Sequence, residues 1–205
     1  MKFKNLIIVM TLICFNSYGQ NENTKDLRLG LLYTFDNNRS TENFRFDDYE
    51  GYSVDYDKTN YRIGLSVEYF VKDKLTINSS IIYSNKDFTG VYYCVVCDFI
   101  GAINPERIDL QFIEIPLSLK YYFLPNRFKL FADLGISNQF VIKNKEVDKS
   151  YILGVKFGGG IEYSLNQNLV IQIMAESNKG ITNLLDVSDF KLDYFSLGIG
   201  IQKRL

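Results

Sequence analysis

Apolar and polar residues alternate with a period of two along most of the chain. The clearest run is Phe112–Phe123, FIEIPLSLKYYF. Ile113, Ile115, Leu117, Leu119, Tyr121 and Phe123 fall on one face, and Phe112, Glu114, Pro116, Ser118, Lys120 and Tyr122 on the other. Successive strand side chains point to opposite faces, so the run predicts a long two-faced β-strand. The same pattern recurs at Leu27–Phe35, Tyr61–Val71, Leu75–Ser84, Phe128–Phe140, Tyr151–Tyr163, Leu169–Ser177 and from Phe190 to the end.

Eight strands follow, joined by connections that alternate long and short. The long ones are Asp36–Asn60, Asn85–Arg107, Ile142–Ser150 and about Asn178–Asp189. The short ones lie at Asp73, at Leu124–Arg127 and at Leu165–Asn168. This regularity predicts an all-β fold, an eight-stranded antiparallel up-and-down transmembrane barrel. Both ends of the barrel domain then lie on the short-turn side, which faces the periplasm.

A lipocalin-like carrier in the periplasm has the same period with the apolar face inward. Three features favour the outward assignment. Aromatics cluster at both ends of the apolar face: Tyr33, Phe35, Tyr61, Tyr83 and Phe195 by the loops, and Tyr69, Tyr121, Phe123, Phe128 and Tyr163 by the turns. Such paired girdles belong to lipid interfaces. Charges on that face, such as Asp109, Lys191, Asp193 and Lys203, sit only at strand ends. The opposite face mixes charge with glycine, which suits a crowded interior. It carries Arg28, Arg62, Lys120, Lys129 and Lys156 against Glu68, Glu114, Asp133, Glu162 and Glu176. Buried charges persist only when paired, so these ten residues predict a structural ion-pair plug and not an open channel.

The 205 residues suffice for one domain, and the net charge of −1 argues against a nucleic-acid surface. Residues 1–19 have the form of a secretory signal: Lys2 and Lys4, then the apolar stretch Leu6–Phe15, then Ser17 and Gly19 before a cut at Gln20. Ile13 precedes Cys14 where a lipoprotein signal wants a small residue. The expectation is a barrel domain over 20–205, exported across the inner membrane and integral to the outer membrane.

Candidate chemistry is sparse. The loop Asp36–Asn60 holds Asp36, Glu42, Asp47, Asp48, Glu50, Asp55 and Asp57, without the spacing of a calcium loop, and reads as solvated surface. Cys94 and Cys97 read as a loop disulfide in an oxidising compartment, since no histidine is present to complete a zinc site. The lack of histidine also removes the usual general base, so neither catalysis nor a cofactor is expected. Outer-membrane lipid is the expected partner. A second protein is expected on the external loops, where Tyr92, Tyr93, Phe99 and Ile100 form the candidate patch.

The segment Phe112-Ile113-Glu114-Ile115-Pro116-Leu117-Ser118-Leu119-Lys120-Tyr121 resembles the E-I-P-L strand, followed closely by Lys-Tyr, of the PorT-like outer-membrane β-barrel family. Strand number, loop pattern and leader extend the resemblance over the mature chain. It implies a small outer-membrane barrel, and for some members a role in assembling a protein secretion system. The ending Gln202-Lys203-Arg204-Leu205 departs from the usual terminal aromatic of outer-membrane barrels.

Overall fold

The computed structural model describes residues 27–40, 42–57, 59–97, 104–123, 127–143, 149–186 and 188–205. The leader, Phe99, Ile100 and the turn residues Leu124–Asn126 lie outside these residues. Among the described residues there are twelve strands: β1 (Leu27–Ser40), β2 (Phe44–Arg45), β3 (Glu50–Tyr56), β4 (Tyr61–Lys72), β5 (Leu75–Asn85), β6 (Phe88–Cys94), β7 (Glu106–Ile108), β8 (Gln111–Tyr122), β9 (Phe128–Lys143), β10 (Tyr151–Ser164), β11 (Leu169–Gly180) and β12 (Leu192–Arg204). Eight of them close into an antiparallel barrel in the order β1-β12-β11-β10-β9-β8-β5-β4. These eight correspond to the eight alternating runs.

The apolar face is outside. Leu31, Leu65, Leu134 and Ile173 are each more than half exposed, whereas Glu68, Glu114 and Glu162 are fully buried. That is the reverse of a carrier with an apolar interior. Tyr33, Tyr61 and Tyr83 form a row of neighbouring rings across β1, β4 and β5 on the loop side. Tyr121–Phe123 and Phe128–Tyr163 make the corresponding pairs on the turn side.

Two local features follow directly from residue type. Pro116 has no N–H to give to a ladder. The β5–β8 ladder is interrupted opposite it, between Ser79↔Leu117 and Ile82↔Glu114, and resumes in the same register; the Ser79 hydroxyl donates to the Pro116 carbonyl (2.9 Å). Gly158 faces a space that a side chain cannot enter. A Cβ there would lie 2.7 Å from Asp133 Oδ1 and 2.8 Å from the Ala175 carbonyl.

The two longest connections are not simple loops. β1 continues to Ser40, so Asp36 is a strand residue and not the start of a solvated loop. Asp36–Ser40 pair with β12, in register from Asp36↔Ser196 to Ser40↔Leu192, while the Asp36 N–H donates to the Asn60 carbonyl (3.0 Å). β2, β3, β6 and β7 form a second sheet in the order β2-β3-β6-β7. Phe44, Tyr52, Phe88, Leu110, Phe112, Ile152, Leu184, Leu185, Phe190 and Leu192 are buried together as one apolar core. Phe190 therefore belongs to this core and precedes the last strand, which begins at Leu192. β11 likewise runs on to Gly180, past the expected start of the fourth loop. The loops thus fold as a lid over one end of the lumen.

Candidate functional site

The lumen is filled by two layers of charged and aromatic side chains. In the layer nearer the turns, the Arg28 guanidinium contacts Glu162 at 2.8 Å and the Lys120 ammonium contacts Glu68 at 3.2 Å. Lys129 reaches Glu162 at 3.7 Å from a partly exposed position. The Tyr122 hydroxyl lies between the two carboxylates, 2.7 Å from Glu68 and 2.6 Å from Glu162. It has one proton, so it donates to one of them at a time. Phe70 stacks on Tyr122, and Phe131 and Met174 pack beside it.

The layer nearer the loops is centred on Arg62. Its guanidinium reaches Asp36 (3.1 Å), Glu176 (2.9 Å) and Glu114 (3.5 Å). Lys86 bridges Asp36 and Glu114 (3.2 and 3.6 Å), and Lys156 bridges Glu176 and Asp133 (2.6 and 3.1 Å). The Tyr194 hydroxyl donates to Glu114, and both Arg62 and Lys86 lie over the Tyr194 ring. Ser196 donates to Asp36 at 2.7 Å. Dense mutual pairing is what allows these charges to be buried.

All ten charged residues assigned inward from the alternation point into this lumen, and each has an ion-pair partner there. Sequence reasoning missed Asp36 and Lys86, which it placed in loops, and it gave no role to Tyr122 or Tyr194. The signal for Asp36 was its parity: it follows Arg28, Gly30 and Thr34 on the even face of β1. Lys86 lies one residue past the end of β5 but continues the even, inward positions Thr76, Ser80 and Ser84, so the same parity was its signal.

The acids of the first long connection serve its turns. Asp47 accepts from the Tyr49 and Glu50 N–H groups (2.7 and 2.8 Å). Asp57 accepts from the Thr59 N–H and hydroxyl, which hold its carboxyl below the usual value. Among the described residues no group of histidine, cysteine or acidic side chains is arranged to hold a metal.

At the outer tip of the second sheet, Cys94 and Cys97 are joined by a disulfide, with Cα atoms 5.4 Å apart. Val95 and Val96 project from it, 74% and 68% exposed, and Tyr49 is exposed beside them. The Val95 N–H donates to the Tyr49 carbonyl. Tyr92 and Tyr93 are only half exposed: Tyr92 packs on the apolar core of the lid and donates to Glu50. Among the described residues at this tip the most exposed apolar side chains are therefore Tyr49, Val95 and Val96, with Tyr92 and Tyr93 half-buried beside them.

The family profile of the outer membrane protein beta-barrel domain matches residues 8–202. The chain belongs to that family. It is an outer-membrane β-barrel, with its apolar wall in lipid. No curated protein matches it in sequence. Among solved structures, the barrel is similar to the outer membrane protein OprG from Pseudomonas aeruginosa (TM-score 0.57, 15% identity, 90% of this chain and 98% of that one). It is also similar to the N-terminal β-barrel domain of Pseudomonas aeruginosa OprF (0.53, 11%, 90% and 100%). A third is Neisserial surface protein A (0.51, 14%, 87% and 97%). At these identities the likeness is one of fold.

Proposed function

We propose that the protein is a closed, non-catalytic outer-membrane scaffold that engages another protein through the outer tip of its lid. The observation that carries this reading is the exposed patch of Tyr49, Val95 and Val96, pinned by the Cys94–Cys97 disulfide at the end of a folded sheet. Apolar side chains presented on a rigid support suit a protein contact. Among the described residues the buried lumen carboxylates face cations, and the lid core covers its outer end. The absence of histidine supports the non-catalytic reading. The PorT-like segment around Glu114–Tyr121 supports a role in assembling a secretion system. The leader directs export across the inner membrane and is cleaved after Gly19.

The test is co-purification from detergent-solubilised membranes. Replacing Tyr49, Val95 and Val96 with serine should leave a folded, heat-modifiable barrel that no longer retains its partner. Retention of the same partner by the triple variant would remove the tip from the proposal. In planar bilayers the purified protein should give no steady current of porin size, and such a current would overturn the closed-scaffold reading. Mature protein beginning at Gln20 would verify the leader.

A further inference from the structure

We infer that an opening in the wall, just beyond the loop-side aromatic row, is a binding site for a neutral saccharide. β1 and β4 pair up to Phe35↔Tyr61, and the Asp36 N–H still reaches the Asn60 carbonyl (3.0 Å). β2 and β3 take up the same hairpin register at Phe44↔Tyr52. Between these points the hairpin is split: Asn37–Ser40 stay with β12, and Ser53–Tyr56 go with β6. Among the described residues no ladder joins β1 to β3. A cavity of about 590 Å³ lies in the split, within the usual range of small-ligand sites.

The two edges of the split carry hydrogen-bonding groups. Backbone groups point alternately to the two sides of a strand, so the Asp36–Asn60 bond sets Asn38 and Ser40 facing the split. The Phe46 N–H donates to the Glu50 carbonyl, which sets Val54 and Tyr56 facing it from β3. Each of the four brings an N–H and a C=O with no ladder partner on that side, and such groups take partners from water or from a ligand. Asn38 adds a side chain. It lines the cavity at 6% exposure, and its Oδ1 accepts from Lys86 (3.2 Å). Its Nδ2 has no acceptor among the described residues, which leaves a buried donor for an incoming oxygen. Asn37, Arg39 and Asp55 line the cavity from exposed positions.

Charge at the opening is balanced. Arg39 and Asp55 have opposite signs, Asp36 faces Arg62 and Lys86 (3.1 and 3.2 Å), and Asp57 faces Thr59 and Arg107. Donors and acceptors therefore alternate at short spacing around a site without net charge. The hydroxyls of a sugar, each both donor and acceptor, match that pattern. An extended peptide fits less well, because two free residues on each edge fall short of an ordinary strand. An adjoining cavity shares Ser40 and Val54 and adds Asn43 and Tyr93, which gives room for a second sugar unit. The row of Tyr33, Tyr61 and Tyr83 lies directly below, so the opening stands at the level of the outer headgroups. The saccharide of a surface glycolipid reaches it from the membrane, and a free glycan reaches it from the medium.

The experiment uses the full folded chain in zwitterionic detergent. The probes are an array of neutral oligosaccharides and the delipidated, dephosphorylated glycan of the source cell's own outer leaflet, with isothermal titration of those that bind. Binding should be saturable and should not weaken on added salt, because the site has no net charge. Asn37→Ala/Asp55→Ala should lower the affinity about ten-fold or more. Gln167→Ala/Asp73→Ala removes the same kinds of group from the turn side and should leave it unchanged. Absence of saturable sugar binding up to about 10 mM, steep loss on added salt, or equal losses in the two double variants would overturn the site. Saturation by an alternating valine–threonine peptide and by no sugar would give the opening to a peptide and overturn the saccharide reading. If the double variant fails to fold, Asp55→Ala alone carries the comparison, and wild-type affinity in it would overturn the site. Repeating the titration in nanodiscs that contain the cell's own glycolipid separates the sources. Competition by the lipid assigns the site to headgroups, and undiminished binding assigns it to a soluble glycan.

Discussion

Lys86 and Asp36, fifty residues apart and both fully buried, form an ion pair 3.2 Å long beneath the lid. Lys86 comes from the connection that leads into the outer sheet, so the pair ties the lid to the barrel. Lys86→Met should cost about 3–5 kcal/mol, because it leaves Asp36 and Glu114 buried with one cation fewer. Asp36→Asn should cost a similar amount. The double variant should lose less than the sum of the two, since each removes the reason for the other. Denaturant unfolding in detergent, analysed as a double-mutant cycle, checks the coupling. Strict additivity would mean that the pair contributes nothing of its own.

A charge on the outer wall should be penalised according to depth. Leu134→Arg places a cation towards the middle of the apolar face of β9 and should cost about 2–4 kcal/mol in a bilayer. Phe128→Arg, at the turn-side end of the same strand, should cost about 1 kcal/mol or less for the charge, apart from the lost ring contact with Tyr163. Folding into vesicles, followed by heat-modifiable migration, measures the difference. Equal effects at the two positions would contradict the membrane placement.

Tyr122→Phe keeps the ring stacked on Phe70 but removes the hydroxyl between Glu68 and Glu162. The two buried carboxylates then lose their shared hydroxyl donor and keep only their other contacts, Lys120 and Thr76 with Glu68 and Arg28 with Glu162. The expected loss is about 1–3 kcal/mol, with no change in the apolar wall. Thermal unfolding of the purified protein reads it, and a stability equal to wild type would show the hydroxyl to be dispensable.

Reduction of Cys94–Cys97 should act locally. Residues three apart close a very short loop, for which the chain-entropy estimate is about 2 kcal/mol. The bond lies in the outer sheet, so Cys94→Ser/Cys97→Ser should expose the tip to protease while the barrel retains its heat resistance. Collapse of the barrel on reduction would show that the lid and wall fold as one unit.

The alternation made the wall legible because Leu29, Leu31, Tyr33 and Phe35 form one unbroken apolar face, and the aromatic rows at both ends of that face, not the alternation itself, turned it outward. The inner face is less legible. A filled lumen uses the same residue types as a solvated loop, and Asp36-Asn37-Asn38-Arg39 is a polar run on either account. The pairing of β3 with β6, from Glu50↔Cys94 to Tyr56↔Phe88, joins two separate connections, and no local periodicity records it. Phe190 was placed in the final strand because its neighbours alternate, whereas burial against Phe44 decides its position. Tyr122 and Tyr194 stood at inward positions, but only distance shows that each gives its hydroxyl to a carboxylate from another strand.

The wall closes by joining β1 to β12, in register from Arg28↔Arg204 to Ser40↔Leu192. The two sides of that seam lie far apart in sequence; Ser196 and Asp36 are 160 residues apart. Until β12 arrives, β1 has one free edge, and the charges meant for the interior have no enclosure. Contacts of such long range make for slow folding, since the chain entropy is lost before the contact forms. The unfinished sheet has the open edge and exposed apolar surface that drive aggregation. The hazard for this protein thus lies in the interval between export and the arrival of its last strand, and a carrier that shields β1 during transit would govern how much of it ever becomes a barrel.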